Sequence, residues 1–300
     1  MRVFVTGATG WVGSAVVKDL IDAGHQVLGL CRSDEKATVL AAAGAKVHRG
    51  SLQDLESLKS GVAQSDGVIH LAFNHNFSKF AENGADERRA IEAIGAALLR
   101  SDRPLIATNG MAALAPGQVA TELTPPPQDS PAFPRNPEAA VATLAKQGVR
   151  ATTVRLPVSV HGLGEHGFVS LVIALAREKG VSPYIGDGLN RWPAAHRTDA
   201  ARVYRLAIER AAEGGPFHAV AEEGLPFKEI ATVIGRRLNV PVVSQSPEEA
   251  AEHFGWFARF AAVDCPAASD RTRSLLGWRP AGPGLVADIE AYFAHQTLPA

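Results

Sequence analysis

Over its first two-thirds the chain alternates short runs of apolar, often β-branched residues with stretches in which apolar positions recur every three or four residues. Residues 2–6, 26–31, 46–49, 67–71 and 104–108 read as β-strands, with a sixth at 150–156, because such runs bounded by turn residues suit a pleated, largely covered backbone. Val68-Ile69-His70-Leu71-Ala72 is apolar almost throughout, the pattern of a strand buried on both faces of a parallel sheet. Between the first two strands, Val12, Val16 and Leu20 line one face of a helix opposite Lys18, Asp19 and Asp22, and Gly24 follows as its stop. A second helix is expected over residues 85–99, and a third opens at Asn136-Pro137, a capping residue followed by proline at the first helical position. Strands alternating with helices predict βαβ units, hence an α/β protein with a parallel sheet.

The prolines from Pro116 to Pro134 mark a long surface loop. Beyond residue 156 the pattern changes to helices near 169–179, 198–210, 226–237 and 247–253, joined by Gly- and Pro-rich connections. That region reads as a smaller lobe, with the Trp256-Phe257…Phe260 cluster in its core.

Composition narrows the function. With 46% hydrophobic and 20% charged residues the chain is apolar enough to fold. A formal net charge of −1 with the signs interspersed offers no basic stripe, so nucleic acid is not an expected partner. Cys31 and Cys265 lack CxxC spacing, which suits a reducing compartment, the cytoplasm. No apolar run reaches signal-peptide or membrane-spanning length, so no membrane association is expected. Scattered histidines without HxxxH or HExxH spacing predict no metal site, and Gly-x-Ser-x-Gly is absent.

The chemistry begins at Thr6-Gly7-Ala8-Thr9-Gly10-Trp11-Val12-Gly13, directly after the first strand and opening the first helix. Gly7 permits a tight turn, Gly10 lets the backbone approach a pyrophosphate, and Gly13 allows close packing of helix on strand. The helix N-terminus supplies free N–H donors and a positive dipole end. Thr9, Trp11 and Val12 complete this dinucleotide-binding loop. At the end of the second strand stand Cys31-Arg32-Ser33. The Arg32 guanidinium can pair with a 2′-phosphate and Ser33 can donate to it, so NADP(H) is favoured over NAD(H). The open alternative is that Asp34 turns inward to hold an NAD ribose and Arg32 is a solvated charge.

The TGxxGxxG spacing, Gly50-Ser51-Leu52-Gln53-Asp54 (similar to GDLxD), Val68-Ile69-His70-Leu71-Ala72, Arg155-Leu156-Pro157-Val158-Ser159-Val160-His161-Gly162 (similar to RPxxVYG) and Gly277-Trp278-Arg279-Pro280 (similar to LGWxP) occur in that order. Together they resemble the extended short-chain dehydrogenase/reductase superfamily, its NAD-dependent epimerase/dehydratase-like branch, over nearly the whole chain. The resemblance implies a doubly wound Rossmann domain at 1–157 and a smaller C-terminal substrate lobe at 158–300, from which about 187–220 returns to the Rossmann domain. It also implies cofactor contacts at Ser51, Leu52, Leu71, Ala72, Phe73, Thr108 and Pro157, and a homodimer through the helices flanking the sheet.

The catalytic pair of that superfamily, Tyr-x-x-x-Lys, falls at Ser130 and Pro134, and Pro131, Pro134 and Pro137 keep the segment from being helical before residue 137. Gly110 occupies the usual hydroxyl position, with Thr108 and Asn109 beside it as candidates. The tyrosines, Tyr184, Tyr204 and Tyr292, all lie in the second half. This is the pattern of an atypical member. A carbonyl reduction still needs a proton donor, and histidine is the natural substitute. His75, after the fourth strand, is the first candidate, with Asn74 and Asn76 beside it to orient a substrate. His161, His166, His196, Tyr184 and Trp192 are candidates for the substrate wall. Each histidine has the alternative of a structural or surface role, and Tyr184 and Trp192 that of lobe packing. The expected function is an NADP(H)-dependent oxidoreductase acting on a small carbonyl, alcohol or activated alkene. A non-catalytic NADP(H)-binding sensor or regulator is the alternative.

Overall fold

All six expected strands form, in a computed structural model that describes residues 1–126, 134–164 and 167–296. They are β1 (Arg2–Thr6), β2 (Gln26–Cys31), β3 (Lys46–Arg49), β4 (Gly67–His70), β5 (Leu105–Gly110) and β6 (Ala151–Leu156). The connections are helical: α1 (Trp11–Asp22), α2 (Asp34–Ala42), α3 (Leu55–Ala63), α4 (Phe80–Leu98) and α5 (Pro137–Lys146). Neither α2 nor α3 was expected from periodicity. Each carries its own start signal, since the Ser33 hydroxyl accepts from Lys36 N and the Asp54 carboxylate from Ser57 N.

The second half contributes β7 (Ser159–His161), β8 (Ser182–Ile185), β9 (Arg191–His196), β10 (Phe217–His218), β11 (Glu222–Pro226) and β12 (Val242–Gln245). Its helices are α6 (Phe168–Lys179), α7 (Arg197–Glu209), α8 (Phe227–Leu238), α9 (Pro247–Phe254), α10 (Ala258–Ala261), α11 (Asp270–Leu276) and α12 (Leu285–Gln296). The main sheet has seven strands in the order β10-β6-β5-β4-β1-β2-β3, and all its pairings are parallel. Strand order reverses between β1 and β4, and ligands of doubly wound sheets bind in the crevice outside the carboxyl ends of the strands at such a switch point.

Alternation along β1 fills both faces of the sheet. Val3 and Val5 join a core with α1 and α7 that includes Tyr204, Ile208 and Trp278. Phe4 turns the other way, into a core with α3, α4 and α5 that includes Leu58, Ile91 and Leu144. Chain 158–300 is therefore interleaved: α7 and Trp278 complete the nucleotide-domain core while β10 extends its sheet. The small lobe is built on the β11-β9-β7 sheet and the β12-β8 pair. Its core gathers Trp192, Phe227, Phe254, Phe257 and Phe293.

The expected surface loop after Pro116 is partly something else. Ala120 is buried, and Gly117 N and Ala120 N donate to the carbonyls of Asp264 and Pro266, so this stretch is tied to the C-terminal region. The continuation at 127–133, which includes Ser130, lies outside the described residues.

A buried polar network fastens α5 to β5, β6 and β10. Arg155 forms a two-pronged pair with Glu138, Nε to Oε1 at 2.8 Å and Nη2 to Oε2 at 2.7 Å. Asn109 Nδ2 donates to Glu138 Oε1 at 2.7 Å. Arg155 Nη1 lies 3.2 Å from His218 Nε2, and His218 Nδ1 lies 2.7 Å from the Ala268 carbonyl. Arginine only donates, so His218 accepts at Nε2 and donates at Nδ1, a neutral tautomer, in line with the lowering of its pKa by burial. Replacing Glu138 by Ala leaves the Arg155 charge buried and unpaired, and we expect a loss of about 3–5 kcal/mol in urea denaturation. A loss below about 1 kcal/mol would show that water reaches the guanidinium.

Candidate functional site

The anion cradle follows from steric contacts around three glycines. Gly7 has φ +68°, and a Cβ there would lie 2.8 Å from Ala72 N on the strand-end loop of β4. At Gly13 a Cβ would lie 2.0 Å from the Gly7 carbonyl oxygen. Gly10 N donates to Gly7 O, and exposed Gly10 begins α1 without any side-chain cap. The first-turn N–H groups are thus left to an incoming anion. Thr6 braces the turn from below, its hydroxyl 2.9 Å from His70 Nδ1 and accepting from Ala72 N. The cradle fits a dinucleotide pyrophosphate: side chains at Gly7 and Gly13 would destroy its shape, and Thr9, Trp11 and Val12 lie half-buried around it.

Beside the cradle sits a cation not singled out from sequence. Arg197, the first residue of α7, stacks 4.0 Å over the Trp11 ring and donates from Nη2 to Ser14 Oγ at 2.8 Å. The Trp11 indole is held by its own bond to Val160 O. Burial lowers the Arg197 pKa, and the residue has no acidic partner among the described residues.

At the adenosine end, Arg32 and Ser33 are exposed immediately after β2. Asp34, the residue that would hold an NAD ribose, has a side chain 97% exposed and is ion-paired with Arg49. Ser51 Oγ accepts from Asp54 N and shapes the turn before α3, while Leu52 packs against the α3–α4 core. Leu71, Ala72 and Phe73 are half-buried on the loop after β4, and Pro157 is buried after β6.

Several residues singled out from sequence carry structural duties. Thr108 points its hydroxyl at His70 O (2.8 Å) and the Tyr204 hydroxyl (2.9 Å). Tyr204 is fully buried and its pKa is driven up by that burial, so the Thr108 hydroxyl is engaged by core groups. Asn109 is corrected likewise: its amide donates to Glu138 and its carbonyl accepts from Gly110 N. Trp192 is completely buried, edge-on to Phe227 at 4.9 Å, and belongs to the lobe core rather than a substrate wall. Tyr184 also packs on that core, with Lys228 over its ring.

His161 and His196 lie together, ring centroids 5.8 Å apart. His161 is 1% exposed, with Nδ1 2.6 Å from Asp288 Oδ2 on α12. His196 lies 2.7 Å from Thr198 Oγ1 through Nδ1 and caps α7. These contacts latch α12 onto β7 and β9. Burial lowers the His161 pKa against the raising influence of Asp288 and Glu222. His166 lies outside the described residues. Among the described residues no group of three or more His, Cys, Asp and Glu could hold a metal, and no helix is long and apolar enough to cross a membrane.

His75 remains available. It is exposed on the loop after β4, perpendicular to Phe73 at 5.3 Å and beside Phe77 at 6.2 Å. The loop is fastened by side chains: Asn83 Nδ2 on α4 donates to the carbonyls of Asn74 and Asn76, and Asn74 Oδ1 accepts from Asn76 N. Phe77 stacks on Trp256 at 4.9 Å and ties the loop to the small lobe. Protein around the imidazole and then the Arg135 charge lower the His75 pKa, against a raising bond at Phe73. Arg135 was missed from sequence, although it stands one residue beyond the expected lysine position. It pairs with Glu87, donates to Thr108 O and covers the Phe73 ring at 4.3 Å.

The chain matches the profile of a family described as NAD(P)H-binding over residues 7–165. An uncharacterized protein of Schizosaccharomyces pombe is 51% identical over 297 residues, covering 98% of this chain and all of that one. A 2-alkyl-3-oxoalkanoate reductase of Stenotrophomonas maltophilia is 28% identical, covering 82% of this chain and 78% of the other. Among solved structures, a nucleoside-diphosphate-sugar epimerase of Pseudomonas aeruginosa superposes with a TM-score of 0.78 at 17% identity, over 99% of this chain and 98% of that one, and shows the shared fold. With its glycine cradle and seven-stranded sheet, the chain belongs to the NAD(P)H-binding family, within the extended short-chain dehydrogenase/reductase superfamily of oxidoreductases and epimerases.

Proposed function

We propose that this protein is an NADP(H)-dependent oxidoreductase that transfers hydride to or from a small carbonyl, alcohol or activated alkene, with His75 moving the proton in place of the Tyr-x-x-x-Lys pair. The observation that carries the reading is the placement of His75. Among the described residues it is the one candidate acid or base from the sequence that stands exposed, on the loop after the carboxyl end of β4 whose first residues pack against Gly7 at the sheet's switch point. The likeness to an oxoalkanoate reductase supports ketone chemistry.

In this reading the α1 N-terminus and Arg197 hold the pyrophosphate, and Arg32 takes the 2′-phosphate while Arg49 engages Asp34. NADP(H), when bound, supplies or accepts the hydride. His75 does the proton work. Its depressed pKa keeps the imidazole neutral near pH 7, so it is ready to accept a proton from an alcohol and must first be protonated to donate one to a nascent alkoxide. The second reading, cofactor binding without turnover, draws on the sequestered hydroxyls of Thr108 and Tyr204.

Three outcomes follow. Arg32→Glu raises the NADPH dissociation constant by about tenfold or more, since a charge-assisted contact is worth about 1.5–3 kcal/mol, while NADH binding changes little in fluorescence titration. Equal NADPH affinity in the variant removes Arg32 from cofactor selection. His75→Gln lowers kcat by about 10²–10⁴ on aldehydes, ketones or enones without altering NADPH affinity. No turnover by wild type on any of these favours the binding protein. The kcat/KM profile for reduction rises as pH falls through and below 6.5, because the reactive imidazolium forms only below the lowered pKa; oxidation shows the opposite limb. Profiles that stay unchanged in His75→Gln assign the proton to another group.

A further inference from the structure

We infer that Arg135 forms the oxygen-binding element of the cleft: the free edge of its guanidinium receives the carbonyl or alkoxide oxygen of the substrate, beside the Phe73 ring that His75 also contacts. The inference rests on the hydride-transfer reading above and names the group that would stand where the usual pair is missing.

The guanidinium is fixed on two sides. Nε donates to Glu87 Oε2 at 2.8 Å and Nη2 to Glu87 Oε1 at 2.6 Å, and Nη2 also reaches Thr108 O at 3.2 Å. Its Cζ lies 4.3 Å from the centroid of the Phe73 ring. Glu87 on α4 is 1% exposed, so its carboxylate is available to no other solute and acts as a clamp. Nη1 makes no hydrogen bond among the described residues, and the side chain keeps 15% exposure. A pair serving only to join α4 to the segment before α5 would have no need of an open donor edge at the carboxyl ends of β4 and β5.

The neighbours also place it. His75 stands perpendicular to the same Phe73 ring at 5.3 Å, so a proton-transferring imidazole and a permanent cation flank one aromatic side chain. Guanidinium stays charged at any working pH. A donor already held by Glu87 needs no reorganisation when charge gathers on the substrate oxygen, the condition under which one such donor contributes about 10²–10³ in kcat.

The test uses full-length protein saturated with NADP⁺ and benzoate as the oxyanion probe, followed by calorimetry. Arg135→Gln combined with Glu87→Gln removes both charges while leaving two amides able to bond, so no buried carboxylate is stranded. We expect wild type to bind benzoate, the double variant to bind it at least about tenfold more weakly with NADP⁺ affinity retained, and Arg135→Lys to fall between. The His75 C2–H resonance should titrate closer to the ordinary value of 6.5 in the double variant. Absence of benzoate binding by wild type, or equal affinity in the double variant, overturns the inference. Loss of benzoate binding in the variant, in a protein that reduces no carbonyl, upholds the oxygen site and removes the hydride-transfer reading. Undiminished carbonyl reduction and benzoate binding in the variant do the reverse.

Discussion

The approach of the first turn to its neighbours is the constraint on which the rest depends. Gly7 in the left-handed region lies against the Leu71–Ala72 backbone, and Gly13 tucks under the Gly7 carbonyl. These contacts draw α1 onto β1 and seat both beside β4, so the positive end of α1 faces the place where the sheet reverses direction. A methyl group at Gly13 would push the helix away by more than side-chain adjustment can absorb, since the atom it meets is backbone. Everything on the loop after β4, His75 included, takes its position from that packing.

Charge is then distributed in two ways. Arg155 with Glu138, and Arg135 with Glu87, are carboxylate–guanidinium pairs of the same two-pronged geometry. The first is closed on every side and ties α5 to the sheet. The second leaves Nη1 without a hydrogen bond among the described residues and the side chain 15% exposed. Burial makes such pairs costly to break and only weakly stabilising to have, so the open edge of Arg135 is better understood as chemistry than as cement. Arg197 and Arg32, neither paired with an acid among the described residues, extend positive charge along the line a dinucleotide would follow.

Strands and the glycine cradle were legible in the sequence because both are local. An apolar run of five residues makes its strand wherever the chain goes, and TGxxGxxG sets three glycines within eight residues, of which Gly10 and Gly13 answer to the Gly7 carbonyl itself and only Gly7 to a distant backbone, that of Leu71 and Ala72. The helices α2 and α3 were also encoded locally, by the caps Ser33 and Asp54; α2 buries only Leu40 and left no period, whereas α3 carries Leu55, Leu58 and Val62 at helical spacing in a segment of only nine residues. Side-chain roles were less legible. Asn109 and Thr108 occupy the strand where a catalytic hydroxyl is expected, yet alternation along β5 turns one toward Glu138 and the other toward Tyr204. Trp192 looked like a cleft aromatic and is core, because β9 is covered on that face by Phe227 and Phe257.

The sequence alone determined the class of fold, the parallel order of its units, the anion cradle and the family. Those follow from periodicity, glycine sterics and motifs in a single register. Only the tertiary structure decided which polar groups are free. Arg135 meets Glu87 across 48 positions, His161 meets Asp288 across 127, and Thr108 meets Tyr204 across 96. A hydrogen bond between distant residues removes a side chain from chemistry or sets it in place, and no local pattern records which partner the fold will bring to it.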